Sequence, residues 1–319
     1  VLRAGAVIAL LAGLTTPAAH AQTVTAVETD GAVTAIVQTP RGSYVETERG
    51  TLRIEPGGCE GGICLVPDVI RGLPARAPEG ALPDGFIATA ITGDIVRAWY
   101  ARPTDRYAHG VLGDVIEGGS LVAQTKAGTN VEFVLPEQKV FEDITPRIRD
   151  LDGDGSNEIV TIRASRSGGA AVAIYGLRGG ELVEIASSSE NGRPNRWLNI
   201  AAILPVGTGD SGSMIVGVRT PHIGGRLFTM TVAADGRITE RNEIARDLSN
   251  HLIGSRELGL SAVLGGEVHI PSQDRRSLRR PFSGAADIAL PAPIDKAIIA
   301  VAGRLVTATQ NGQLLVITP

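Results

Sequence analysis

The sequence predicts an all-β protein built from repeated four-stranded units, on three observations. Sliding the chain by 56 residues aligns 150–184 with 206–240 without a gap, with 9 identities in 35 positions, and such self-similarity at a fixed period marks a repeat architecture. Each copy divides into short runs of strand-forming residues separated by glycine pairs, Gly168-Gly169 and Gly179-Gly180 in the first. An acidic, glycine-containing loop, Asp150 to Glu158, leads straight into the β-branched run Ile159-Val160-Thr161-Ile162, which is a strand and not a helix. Four strands per repeat form the blade of a β-propeller. A 21-residue leader leaves 298 of 319 residues, and 298 divided by 56 is 5.3, so five to seven blades are expected.

The chain begins with Arg3 before an apolar stretch, Ala4 to Leu14, and continues through Pro17 to Ala19-His20-Ala21, the small-x-small pattern cut by signal peptidase. Residues 1–21 are read as a signal peptide cleaved after Ala21, which places the protein in the periplasm or outside the cell. The apolar core of this leader is about half of the roughly 20 residues that a membrane span needs, and no later run approaches that length, so no integral membrane segment is expected after cleavage. Formal net charge is −4, or −5 once Arg3 leaves, which disfavours nucleic acid as a partner. The basic run Arg275-Arg276-Ser277-Leu278-Arg279-Arg280 is read as a solvated turn or strand edge.

Residues 22–55 read as an N-terminal strand meander, available to complete the propeller, with turns at Asp30-Gly31, Arg41-Gly42 and Arg49-Gly50. Residues 56–85 hold five prolines and seven glycines and read as a loop or linker. Cys59 and Cys64 lie inside it, and two nearby cysteines in an exported chain are expected to form a disulfide. Residues 86–319 are assigned to the propeller repeats. In the first copy strands are expected over about Glu158 to Arg163, Ala170 to Leu177, Glu181 to Ala186 and Trp197 to Leu204. A third copy survives only as Leu258 to Leu264, which echoes Leu198 to Leu204.

The acidic loop carries the chemistry. Asp150, Asp152, Asp154 and Glu158 stand at loop positions 1, 3, 5 and 9, and the carbonyl of Ser156 falls in the same alternation, an oxygen-rich set suited to Ca²⁺. An EF-hand would place a bidentate Glu at position 12, where this chain has Thr161. Ligand parity leaves Asn157 pointing away. In the second copy the first, third and ninth positions become Val206, Thr208 and Met214, so only Asp210 remains and one calcium site is expected. The loop followed by a β run resembles the calcium loop of FG-GAP or VCBS-type repeats, found in the integrin alpha-subunit head and in exported bacterial proteins. That resemblance covers about residues 144–280 and implies a calcium-holding β-propeller.

Other constellations are weaker. Gly209-Asp210-Ser211-Gly212-Ser213 resembles the nucleophile motif of trypsin-like proteases, yet His20 would leave with the leader and no triad follows from a motif alone. His109, His222, His251 and His269 lack zinc-ligand spacing. Asp105, Asp114, Glu142 and Asp143 are candidates for a carboxylate pair of the glycosidase type, whose separation sequence does not give. Trp99, Tyr100 and Tyr107 are candidates for exposed contact, with Trp99 equally suited to the core. The expectation is a non-enzymatic, calcium-stabilised propeller that binds a protein or glycan, with a propeller-based hydrolase or lyase as the alternative.

Overall fold

A computed structural model describes residues 22–207 and 212–318; the leader, with His20 and its cleavage site, and Asp210 and Ser211 of the second copy lie outside the described residues. Strand β1 (Thr23–Val27) is followed by a four-stranded antiparallel meander of β2 (Val33–Thr39), β3 (Gly42–Thr47), β4 (Gly50–Pro56) and β5 (Ile63–Pro67). A nine-stranded sheet comes next. Its first half holds β6 (Ala88–Thr89), β7 (Ile95–Thr104), β8 (Glu117–Thr125) and β9 (Asn130–Val134). Its second half holds β10 (Lys139–Phe141), β11 (Arg147–Arg149), β12 (Glu158–Ser165), β13 (Gly169–Arg178) and β14 (Glu181–Ser187). A single residue pair between β8 and β10, Gly118 with Phe141, joins the halves.

Two four-stranded sheets follow, β15 (Leu198–Pro205), β16 (Gly212–Arg219), β17 (Arg226–Ala233) and β18 (Ile238–Arg241), then β19 (Ala262–Leu264), β20 (Glu267–Pro271), β21 (Ser277–Arg279) and β22 (Ile288–Ala289). The last sheet contains β23 (Ile299–Val301), β24 (Arg304–Ala308) and β25 (Leu314–Thr318), and its fourth strand is β1, paired antiparallel with β25 from Thr23 opposite Thr318 to Val27 opposite Leu314. The described chain is thus all-β and propeller-like in its succession of antiparallel sheets. No helix among the described residues is long and apolar enough to cross a membrane.

The strands expected in the first repeat are present within one or two residues, but the last of them, Leu198–Pro205, is not in the same sheet as the other three: it pairs with β16 and opens the next sheet, because the long connection after β14 carries the chain across to it. The turns have a local cause. Gly179 and Gly180, the two residues between paired Arg178 and Glu181, have φ of 62° and 86°, the left-handed pair that a two-residue type I′ hairpin requires. Two further glycine positions recur because backbone comes close: a Cβ on Gly169 would meet the Arg193 carbonyl at 2.3 Å, and on Gly225 the Leu248 carbonyl at 1.9 Å. Arg163 and Arg219, equivalent in the two copies, are both buried, and each pairs with the equivalent glutamate, Glu184 or Glu240. Two of the nine identities that revealed the repeat are therefore the two halves of one ion pair, present in both copies.

Consecutive sheets share apolar clusters. Val160, Ile162, Val172 and Ile174 of β12 and β13 pack with Leu198, Ile215, Phe228 and Met230 of the following sheet. Val216, Val218 and Leu227 of that sheet meet Val268 and Ile270 of the next. Leu278 and Ile288 then meet Leu305, Leu315 and Ile317. The last sheet returns to the first, where Val27, Val306, Leu314 and Val316 pack with Val33, Ile36, Val45 and Ile54.

The segment 56–85 differs from its reading as a loop. Ile63–Pro67 pairs with β4 along its whole length, and Ile63 is buried in the core, so alternation there outweighed the glycine and proline content around it. The Cys59–Cys64 disulfide spans the β4–β5 connection with Cα atoms 5.1 Å apart. The basic run differs in part from its reading as a solvated turn or strand edge: it begins on a turn, but β21 lies inside its sheet between β20 and β22, and that pairing buries Leu278 and Arg280.

Two outcomes follow. Replacing both cysteines by serine should lower unfolding free energy by only about 2 kcal/mol in urea titration, because the closed loop is short and restricts the unfolded chain little. Glu184→Gln and Glu240→Gln should each cost on the order of 3 kcal/mol, since each leaves a buried guanidinium without its counter-charge. A negligible loss in either glutamine variant would show that the recurring pair is not a stability element.

Candidate functional site

The acidic loop connects β11 to β12 and is fixed at three points. Leu151 is fully buried in the apolar cluster with Val160 and Ile162, so the loop is wedged into the core by its second residue. Asn157 turns away from the acids, as parity predicts. Its backbone N–H donates to Asp94 Oδ1 at 2.7 Å, and its Nδ2 donates to the carbonyls of Thr92 (2.5 Å) and Ile95 (2.8 Å), which ties the loop to the neighbouring β6–β7 turn. Glu158, buried at the start of β12, accepts the Leu151 N–H at 2.9 Å.

Within that frame, oxygens of Asp150, Asp152 and Glu158 lie within 4.8 Å of one another. Oxygens bound to Ca²⁺ at about 2.3–2.6 Å can be no more than about 5 Å apart, so three carboxylates are already at ligand spacing. Asp150 also accepts the N–H groups of Gly153 (2.7 Å) and Gly155 (2.9 Å), and those two glycines have φ of 80° and 88°, where a Cβ would be strained. Asp154 is not one of the convergent three; its Oδ1 accepts the Ser156 N–H at 2.7 Å. Burial, reinforced by Asp152, Asp154 and Asp150, pushes the Glu158 carboxyl up to about 7 against the opposing Leu151 N–H. A divalent cation would supply the charge that these acids lack.

A second constellation joins residues that the sequence offers only one by one. The strand position beside β12 is broken: β10 ends with Phe141 opposite Arg163, β11 begins with Arg147 opposite Val160, and residues 142–146 bulge opposite Thr161 and Ile162. The bulge carries Glu142 and Asp143 into the interior. Asp143 accepts from Tyr100 Oη at 2.8 Å and Arg147 at 2.6 Å, and it takes the place of a ladder partner for the Ile162 N–H at 3.3 Å. Glu142 Oε1 lies 2.5 Å from His109 Nδ1, while Glu142 Oε2 is buried with no hydrogen-bond partner among the described residues.

Glu117, also buried, is held protonated: burial, then the adjacent charges of Glu142, Asp114 and Asp143, push it up to about 10. Trp197 donates from Nε1 to the Glu142 carbonyl at 3.0 Å and stacks on His222 with planes 6° apart. His222 Nε2 and His251 Nδ1 are 2.8 Å apart, and His251 Nε2 faces the Ser255 carbonyl at 2.9 Å. That carbonyl only accepts, so the proton of His251 is on Nε2. Burial pushes both rings down to about 4, which keeps them neutral, so His222 donates from Nε2 and its Nδ1 is left as a lone pair.

Of the sequence candidates, the structure thus gathers Glu142 with His109 and His222 with His251, residues 33 and 29 apart in the chain. Asp105 joins neither pair, and Asp114 contacts Arg256 at the surface. His269 is buried elsewhere, on β20. Trp99, Tyr100 and Tyr107 are a correction: all three are buried, Trp99 against Ala81 and Ile87, Tyr100 on Asp143, and Tyr107 accepting the Asn195 N–H. Sheet packing covered them. A cavity of about 610 Å³ opens beside the bulge, walled by Phe86, Ile144, Pro146 and Leu258, and two of its arginines are already engaged, Arg147 with Asp143 and Arg256 with Asp84.

No family model matches the chain, and no curated protein matches it. The resemblance to FG-GAP or VCBS repeats therefore rests on residues 150–158 and the strand after them. Among solved structures, the chain is similar to BamB from Moraxella catarrhalis, at 11% identity over 93% of this chain and 98% of that one with a TM-score of 0.30. It is similar to the extracellular domain of the one-component system BT4673 from B. thetaiotaomicron, at 13% identity over 89% of this chain and 38% of that one with a TM-score of 0.40. It is also similar to PorZ, a surface component of the type-IX secretion system of Porphyromonas gingivalis, at 9% identity over 90% and 42% with a TM-score of 0.21. Superpositions this loose carry no argument here, and the architecture rests on the strand pairing above.

The buried acid and the two histidines should oppose each other in pH. Glu117 binds its proton more tightly folded than unfolded, so its contribution is full below about 4.5 and is lost as pH rises toward about 10. His222 and His251 bind theirs less tightly folded, so their contribution is full above about 6.5 and is lost as pH falls toward about 4. Glu117→Gln removes the first slope, and its stability relative to the unmutated protein should rise steadily between pH 5 and pH 9 in urea titration. A pH-independent difference would show that Glu117 is not held protonated.

Proposed function

We propose that the chain is an exported β-propeller of six blades, held by one Ca²⁺ and serving to bind another protein. Six follows from counting the nine-stranded sheet as two units joined at one residue pair and from assigning β1 as the fourth strand of the last unit. The observation that carries the calcium reading is the approach of Asp150, Asp152 and Glu158 within 4.8 Å on a loop wedged between two units. Asp154 and the Ser156 carbonyl would complete the oxygen set. Calcium here would act on the fold: its loop is sewn to the β6–β7 turn through Asn157, so an ion that orders the loop also orders the contact between neighbouring units. A protein ligand is favoured over a glycan because the aromatic residues Trp99, Tyr100 and Tyr107, which a sugar could stack on, are buried.

A second reading, a hydrolase or lyase, draws on the buried group of Glu117, Glu142 and His109, where a protonated acid stands near an imidazole–carboxylate pair. Hydrolysis of a chromogenic glycoside or ester by the unmutated protein, lost in Glu142→Gln, would favour it over the binding reading.

The calcium reading predicts that chelation lowers the melting temperature. With a dissociation constant of about 10 μM, about 1 mM calcium would add about 2.7 kcal/mol. Asp152→Ala should remove that dependence, and Asp210→Ala in the second copy should leave it intact, since Val206, Thr208 and Met214 offer no side-chain carboxylates. Identical melting of the unmutated protein with calcium and with chelator would overturn the reading.

A further inference from the structure

On the surface between the third and fourth units, counted as above, a groove of about 520 Å³ gathers guanidinium groups from three separate segments in a protein whose net charge is negative. Arg193 and Arg196 come from the β14–β15 connection, Arg226 from the start of β17, and Arg246 from the chain after β18. Glu243 bridges Arg226 and Arg246. Arg193 and Arg196 form no ion pair among the described residues, so two of the four guanidinium groups in the groove are available to a ligand. Ile223, 57% exposed, supplies an apolar wall, and Asp247 supplies one carboxylate.

The backbone around this groove is held in an unusual state. Seven described non-glycine residues have positive φ, and four of them, Asn195, Thr220, Glu243 and Asp247, line or border it. Thr220 is β-branched, for which φ of 50° is an outlier, and such conformations persist only where surrounding structure imposes them. The imposing contacts are visible. Asn191 Nδ2 donates to the carbonyls of Arg196 (3.1 Å) and Trp197 (2.9 Å), its Oδ1 accepts from buried Arg219 at 2.7 Å, and Gln273 accepts the Gly225 N–H and donates to the Pro221 carbonyl. The turns that present the arginines are therefore preset before any ligand arrives.

We propose that this groove is the ligand-binding surface of the module and receives an acidic peptide segment of a partner protein, a proposal that rests on the binding reading above. Planar guanidinium forks match carboxylates in two-point contacts, and arginines distributed along a groove suit several carboxylates in a row. A phosphate ion would need donors converging on one point and would gain nothing from Asp247, whereas a peptide can set a lysine against that carboxylate and an apolar side chain against Ile223. No aromatic residue lines the groove to stack on an acidic sugar.

The test uses the full chain in calcium and a fluorescein-labelled peptide of alternating Glu and Asp with one central Lys, followed by fluorescence anisotropy. Binding is expected, weakening as NaCl rises from about 0.05 M to about 0.5 M. Arg193→Ala with Arg196→Ala should weaken it by about tenfold or more, while Arg178→Ala, a surface arginine outside the groove, should not. The double variant should melt like the unmutated protein, because neither side chain holds a hydrogen-bond or ion-pair partner among the described residues. Absence of peptide binding, equal binding by the double variant, or binding of inorganic phosphate or phosphatidylserine vesicles in place of the peptide would overturn the proposal. The calcium-dependent melting shift is read on the same sample, so loss of the peptide result alone leaves the propeller reading standing, and loss of the shift alone leaves the groove standing.

Discussion

A four-stranded sheet has two faces, and one that packs face to face in a stack must cover both with its neighbours. That constraint governs this protein. Strands such as β12 and β13 are buried along nearly their whole length, so their residues read as continuous apolar runs, Ile159 to Ile162 and Ala170 to Ile174, with inward-facing residues on both sides. The larger clusters of the core each draw on more than one unit, while Ala81, Ile87 and Trp99 form a small one beside β7. The ends of the chain answer to the same requirement: β1 adds the fourth strand beside β25, and Val27 enters the cluster that the last sheet shares with the first.

Where polar groups enter that interior they come with partners fixed by position in the unit. The arginine of the second strand and the glutamate of the fourth meet in two successive copies, Arg163 with Glu184 and Arg219 with Glu240, and Tyr175 or Asn242 adds a further hydrogen bond to the group. Burial of a guanidinium is costly unless its charge is met, so the two positions carry meaning only together. The recurring glycines have a different origin. Gly169 and Gly225 lie where the connection to the next unit crosses the hairpin, and only a residue without Cβ lets that backbone approach.

The features with chemical potential all occur where the ladder is interrupted. The acidic loop separates β11 from β12, the bulge of residues 142–146 separates β10 from β11, and the arginine groove is built on the connections of the β15–β18 sheet. Regular ladders satisfy their own N–H and C=O groups and leave little to bind with, while an interrupted one must recruit side chains. Asp143 does this directly by accepting the Ile162 N–H that a paired strand would have taken. Its neighbour Glu142 is thereby carried to His109 and to the carbonyl contact with Trp197.

The sequence by itself determined what local geometry governs. The 56-residue period, the strands of the first repeat, the Gly179-Gly180 turn and the outward aim of Asn157 follow from alternation and glycine φ over a few residues, and the short cysteine spacing anticipated the disulfide. Convergence of Asp150, Asp152 and Glu158 was legible for the same reason, since all three lie on one nine-residue loop. Only the tertiary structure decided the rest. Whether Trp99, Tyr100 and Tyr107 faced solvent depended on which sheet faces met. That β1 pairs with β25, that His222 meets His251, that Glu117 is held protonated beside Glu142, and that four arginines from three segments share one groove all depend on residues far apart in the chain. No short-range pattern encodes them, because each is set by how whole sheets stack and by where an interrupted strand places its extra residues.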